Sequence, residues 1–173
     1  MPDPGLLETK PRAPRLAVWL ALAALVLLLD QLTKLAVSAW LRPSEVRELT
    51  GFFNMVLVYN TGAAFSLLAD AQGWQRGFFI AVGAIASIVI VMMLRRHEAD
   101  RKFCFALSLI LGGAIGNVLD RVALGHVIDF VQLHAAGYYW PAFNVADSAI
   151  CAGAGLLIWD GLFDGRRKPA QTR

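Results

Sequence analysis

Apolar residues gather in four long runs, at about residues 16–40, 74–94, 103–119 and 143–163. Each approaches the roughly 20 residues a helix needs to cross the hydrocarbon core of a bilayer. The runs show neither the alternation of a half-buried strand nor the narrow stripe of a surface helix, which is the pattern of segments whose whole circumference meets lipid. Without barrel-strand alternation, only helices satisfy backbone groups in such surroundings. The pattern predicts an all-α membrane protein with four transmembrane helices. A cleaved signal peptide is the alternative for the first run, since basic residues precede it and Val37-Ser38-Ala39 resembles a cleavage site. Asp30, Gln31 and Lys34 interrupt the approach to that site, so the run is read as a span.

Two longer connections share one side of the predicted bundle. The first, Arg42 to Gly73, contains the strand-favouring run Phe52 to Tyr59 followed by the turn signal Asn60-Thr61-Gly62, and predicts a small extended β element at the outer membrane surface. The second, Asp120 to Ala142, holds Gly125, Gly137, Pro141 and a short apolar run around Val127 to Leu133, and is read as a loop.

Composition agrees with lipid as the main solvent: 57% of the 173 residues are hydrophobic and 17% charged, against roughly half and a quarter in soluble domains. The length suits a single integral membrane domain over 1–173, with disordered tails at about 1–14 and 165–173. A formal charge of +3 does not imply a nucleic-acid partner, because the basic residues punctuate the apolar runs and form no patch that follows a phosphate backbone. Their placement sets orientation instead. Lys10, Arg12 and Arg15 precede the first span, Arg95, Arg96, Arg101 and Lys102 join the second to the third, and Arg166, Arg167, Lys168 and Arg173 follow the fourth. The other side has only Arg42, Arg47, Arg76 and Arg121, spread over two longer loops. Basic residues are retained inside, so both termini are expected in the cytoplasm. Trp19, Trp40, Trp74, Trp140 and Trp159 fall near span ends and are read as headgroup anchors. Cys104 and Cys151 are read as buried apolar thiols.

Charges in or beside a span are costly, and here they collect at one depth. Asp30 and Lys34 lie in the outer half of span one, Asn117, Asp120 and Arg121 close span three, Asp129 lies in the second external loop, and Asn144 and Asp147 open span four. Asp30 and Lys34, four apart with the acid first, either neutralise one another or meet substrate. Asp120 and Arg121 suit an orienting or ion-pair role at a helix end. Asn117 follows Gly112-Gly113-Ala114-Ile115-Gly116, a pattern that admits a close helix neighbour across which the amide bonds. Asn144 and Asp147 resemble a capping box. A cap alone leaves Asp129 unexplained, a second carboxylate in the apolar stretch Val127 to Val131. Two acids entering one partly dry site cannot both ionise, so one donates a proton while the other accepts one from water, which is the equipment for hydrolysing an amide. No His-Glu-x-x-His and no Gly-x-Ser-x-Gly is present, and His126 with Ser148 forms a triad on paper only. No cofactor or metal is expected.

Five stretches, Asp30-Gln31-x-x-Lys34, Tyr59 to Phe65, Gly112 to Asn117 with Asp120-Arg121, Val127 to Phe130, and Phe143 to Ser148, resemble in order the lipoprotein signal peptidase (signal peptidase II) family. The resemblance implies an aspartic endopeptidase of the bacterial inner membrane that cuts prolipoproteins before a diacylglyceryl-modified cysteine. It assigns Asp129 and Asp147 to the catalytic pair, Asn60, Gly62, Asn117, Arg121 and Asn144 to the surroundings of the active site, and Asp30 and Lys34 to the first-span motif. The bound partners it implies are the lipidated substrate and membrane lipid. A monomer is expected, because four helices can partner their own polar groups. A small proton-coupled transporter is the main rival, although its carboxylates belong near the bilayer midplane. A non-catalytic assembly factor is a second rival, and it needs no paired acids.

Overall fold

A computed structural model describes residues 16–62 and 73–163. The order is α1 (Leu16–Trp40), β1 (Val46–Thr50), β2 (Phe53–Asn60), α2 (Trp74–Arg96), α3 (Arg101–Ala123), β3 (Val127–Ala135), β4 (Tyr138–Tyr139) and α4 (Val145–Phe163). All four helices are long and apolar enough to cross a membrane. Those beyond the first differ from the expected spans at their ends, for local reasons. α3 begins two residues early because the Asp100 carboxylate accepts the Phe103 N–H at 3.1 Å, which caps the helix and places Arg101 and Lys102 in its first turn. It continues past Leu119 because Asn117, Asp120 and Arg121 find partners inside the protein. α4 begins two residues late because Phe143 is bridged to Val131 and Asn144 serves as the cap.

α3 is the central helix, with eleven buried residues against two in α4. Small residues make this possible. A Cβ at Gly112 would lie 2.5 Å from the Ala23 carbonyl oxygen of α1, one at Gly116 would lie 2.6 Å from Asp30 Oδ2, and one at Gly113 would run into the Ala146 carbonyl of α4. Backbones of α1 and α4 thereby approach α3 closely, as membrane helices require when apolar burial supplies little drive for association. Trp19 departs from its expected anchoring role, because it packs against Leu107 and Leu111 in a buried cluster while the other four indoles are exposed. Cys104 is buried as expected, but Cys151 faces outward. The expected disordered tails, with Lys10, Arg12, Arg15 and the basic residues from Arg166 to Arg173, lie outside the described residues.

The β element is larger than expected. It is a four-stranded antiparallel sheet in the order β1-β2-β3-β4, so half of it comes from the second external connection. β3 escapes an alternation test because Val127 to Phe130 are all buried, covered on both faces. Ile128 and Phe130 pack with Val37, Leu41 and Leu57, joining the sheet to the end of α1. In β2 the register slips between Met55 and Val58, inserting one residue, so that Val56 and Leu57 are buried in succession. This bulge lies beside the Val58–Asp129 pair, where it re-aims the strand. At the other end of β3, Ala136 (φ 49°) and Gly137 (φ 83°) supply the two left-handed residues of a tight hairpin turn.

Candidate active site

Asn144 joins the elements that carry the two candidate acids. Immediately before it, Phe143 exchanges backbone hydrogen bonds of 2.9 and 3.0 Å with Val131, fixing the entrance of α4 against β3. Asn144 then caps α4: its Oδ1 accepts the Asp147 N–H at 2.8 Å. The same side chain donates from Nδ2 to Asp129 Oδ1 at 2.7 Å. One fully buried amide thus holds the strand carboxylate with one end and the helix turn bearing the other carboxylate with its opposite end. Asn60, at the end of β2, donates to Asp129 Oδ2 at 2.9 Å, and Asn117 of α3 donates to Asp147 Oδ1 at 2.8 Å.

Asp129 is 1% exposed. Burial, together with the negative charge of Asp147, pushes its pKa up to about 7, against the opposing pull of the Asn60 and Asn144 amides and Lys34. Near neutral pH it therefore exchanges a proton readily. Asp147 is only half-buried, so the pair has one enclosed member and one open to a reacting partner. The loop histidine His126 packs at a tilt against Tyr59 with ring centroids 4.3 Å apart, and burial lowers its pKa. Ser148 donates to the Asn144 carbonyl at 2.9 Å, a helix-end bond, and among the described residues no hydrogen bond joins it to His126. Among the described residues, no three His, Cys, Asp or Glu side chains gather to hold a metal ion.

Beneath the pair lies a buried ionic cluster. Lys34 Nζ is 2.7 Å from Asp30 Oδ2 and 2.8 Å from Asp120 Oδ2, and it donates to Asn117 Oδ1 at 3.2 Å. Of the two roles open to Asp30 and Lys34, the ion pair between them is present, and Asp120 joins it from α3. Asp30 Oδ1 also accepts the Ala146 N–H at 2.9 Å, satisfying a donor at the open end of α4. Asp120 and Arg121 do not pair with each other: Asp120 turns to Lys34, while Arg121 donates to the Gly62 carbonyl at 2.6 Å and lies over the Phe79 ring at 5.0 Å. Gly62 is held from its other side as well, its N–H donating to Asn60 Oδ1 at 2.9 Å. All ten residues singled out in the sequence thus fall in one connected region.

The sequence matches a family model described as signal peptidase (SPase) II over residues 22–163. The chain belongs to the signal peptidase II family. It is 58% identical over 149 residues to the lipoprotein signal peptidase of Ralstonia nicotianae, covering 86% of each chain. To that of Cupriavidus taiwanensis it is 59% identical over 145 residues, covering 84% of this chain and 82% of the other. A bacterial membrane enzyme solved by the in meso method at 2.3 Å resolution superposes with a TM-score of 0.80 at 30% identity, over 91% of this chain and 94% of the other. A second, solved at 1.9 Å, gives 0.75 at 31% identity over 86% and 94%. The signal peptidase II chain is a multi-pass bacterial membrane peptidase of aspartic type that removes signal peptides, and the transporter reading finds no support.

Two contributors to this region of the signal peptidase II chain carry no assigned role in the sequence reading. Gln31 donates to Asp120 Oδ1 at 2.9 Å and to Asp30 Oδ2 at 3.2 Å, bracing the ionic cluster. Its position inside Asp30-Gln31-x-x-Lys34, one residue from the acid, is the available signal. Arg76 of α2 donates to the carbonyls of Arg121 and Val122 at 2.8 and 3.1 Å, capping α3 where Gly125 (φ 86°) turns the chain away. Nothing in the sequence separates Arg76 from an ordinary external arginine.

Proposed function

We propose that this peptidase cuts prolipoproteins just before the diacylglyceryl-modified cysteine, using Asp129 and Asp147 as its catalytic pair. The observation that carries the reading is the Asn144 bridge, which ties a buried carboxylate with a raised pKa to the helix turn of a second, more open one. Asp129 holds the shared proton and Asp147 is ionised. Asp147 takes a proton from a water held between them as that water's oxygen attacks the scissile carbonyl carbon, and Asp129 gives its proton to the carbonyl oxygen. The tetrahedral intermediate collapses with return of a proton to the departing amine. Asn117 and Asn144 orient the acids, Asn60, Gly62 and Arg121 align the substrate backbone, and Asp30, Lys34 and Asp120 hold the helices beneath.

The distribution of basic residues supports an orientation with both termini in the cytoplasm and this site near the outer leaflet, open sideways so that the substrate's acyl chains stay in lipid. The enzyme acts as a single integral domain and as a monomer, its polar groups being partnered within one set of four helices. An assembly factor would have no use for paired acids. Cleavage of a diacylglyceryl-modified prolipoprotein by purified protein tests the function. Asp129→Asn and Asp147→Asn variants that still fold should each lose cleavage by about a thousandfold or more. Undiminished cleavage by either removes the pair, and an inactive wild-type protein in lipid that preserves its fold removes the substrate assignment. Single cysteines near Asp100 and Asp70 test orientation, since only the latter should be labelled from outside intact cells.

A further inference from the structure

At the end of α3 far from the aspartates, a groove of about 560 Å³ opens between α1, α3 and α4. Arg101 is separated from Asp120 by 19 residues of continuous helix, roughly 28 Å at about 1.5 Å per residue, so the groove is not part of the catalytic site. Its walls are apolar and aromatic, formed chiefly by Trp19, Phe103, Phe105, Leu156 and Trp159. At its mouth stand Arg101 and Lys102, both exposed, in the first turn of α3. Lys102 lies 3.7 Å from Asp160, whereas among the described residues no carboxylate comes within ion-pair distance of Arg101. The Asp100 carboxylate is engaged in capping the helix.

An apolar slot with cations at its rim describes an amphiphile with long chains and a negative head.

We infer that this groove binds an anionic phospholipid, with acyl chains along Trp19, Phe103 and Trp159 and the headgroup phosphate facing Arg101 and Lys102. With the orientation proposed above, the ligand comes from the cytoplasmic leaflet, although binding itself does not depend on that orientation. The α3 N-terminus adds its own partial positive charge at the same place.

Native mass spectrometry of the full chain, released from micelles holding equal amounts of phosphatidylglycerol and phosphatidylcholine, tests the site. Wild-type protein should retain one phosphatidylglycerol in preference to phosphatidylcholine by on the order of tenfold, the scale of one or two cations acting on an anionic headgroup. Arg101→Gln combined with Lys102→Gln should bring that preference close to unity. Neither substitution touches the aspartate site, so cleavage measured without anionic lipid should be unchanged. Equal retention of the two lipids by wild-type protein overturns the proposal, as does a preference that survives the double substitution, or a groove filled by residues 164–173 that retains no lipid. Should the double variant fail to fold, brominated lipids decide on wild-type protein: bromophosphatidylglycerol should quench tryptophan fluorescence at lower concentration than bromophosphatidylcholine, and equal quenching refutes the site.

Discussion

Replacing Asn144 by alanine removes a fully buried side chain whose two short bonds carry most of its effect, its Nδ2 contacts to the Ile128 carbonyl and Asn117 Oδ1 being longer, at 3.3 and 3.4 Å. The cap to the Asp147 N–H at 2.8 Å contributes about 1 kcal/mol. The charge-assisted bond to Asp129 at 2.7 Å contributes about 1.5–3 kcal/mol when Asp129 is ionised. The variant should therefore lose about 2.5–4 kcal/mol of stability at alkaline pH, and less where Asp129 is protonated. Activity reports something different. The Asn144 amide stabilises the Asp129 carboxylate and so opposes the rise of its pKa to about 7. Without it, the proton that the proposed mechanism places on Asp129 is held to higher pH. The alkaline limb of the kcat profile, which marks loss of the pair's shared proton, should move up, while kcat itself falls by about a hundredfold as the two acids lose their common brace. Asn144→Ser separates the effects, since a serine hydroxyl still caps the helix but is too short to reach the strand. It should recover about 1 kcal/mol in a denaturation series and leave the alkaline limb displaced. An unmoved limb in both variants would mean that Asn144 is a cap only and that Asp129 does not hold the titrating proton.

Three further outcomes follow from burial and packing. Because the folded pKa of Asp129 is raised from 3.8 to about 7, the native chain binds the proton more tightly than the unfolded one, and stability falls as pH rises through that window; Asp129→Asn should gain on wild-type protein between about pH 4 and 7, by at most about 4 kcal/mol, and a difference in melting that is flat with pH contradicts this. Lys34→Met leaves Asp30 and Asp120 facing one another without the ammonium that lies within 2.8 Å of both, and should cost about 3–5 kcal/mol; adding Asp120→Asn should restore part of it, and a strictly additive double-mutant cycle would refute the coupling. Gly112→Ala places a methyl 2.5 Å from a backbone oxygen that cannot yield, so unfolding in detergent should register about 1–3 kcal/mol of loss, whereas Gly155→Ala, with nothing within 4 Å, should be close to neutral.

The helices were legible because lipid imposes one requirement along the whole of a span, and α1 matches its expected 16–40 limits. The limits of α3 and α4 were less so, since Asn117, Asp120 and Arg121 look like the end of a span until Lys34 and the Gly62 carbonyl are known to receive them. β3 was hidden for a related reason. Its first four residues are buried regardless of face, so the period of two that identifies a strand is erased where Asp129 sits. The candidate acids survived this error, because a carboxylate in an apolar stretch is conspicuous whether the stretch is loop or strand. Trp19 misled in the opposite direction: position near a span end suggests an anchor, but rotation about the helix axis decides between lipid and neighbour, and only the packing partner supplies that angle.

The bonds that assemble the bundle and the bonds that shape the aspartate pair are largely the same bonds. Helices in a bilayer gain little from excluding lipid, so close packing at glycines and polar contacts between helices must hold them. Here those contacts form a single chain: Asp30 on α1 accepts from Ala146 on α4, Lys34 on α1 reaches Asn117 on α3, and Asn117 donates to Asp147 on α4. Each link crosses between helices at the depth of the site. The sheet adds Asp129 through the Phe143 bridge and the Asn144 amide. It follows that Asn117, which touches both the ionic cluster and the Asp147 carboxylate, cannot be changed as a purely structural or purely chemical residue. Helix association fixes where Asp147 stands, and the raised pKa of Asp129 depends on that position, because the charge of Asp147 is one of its causes.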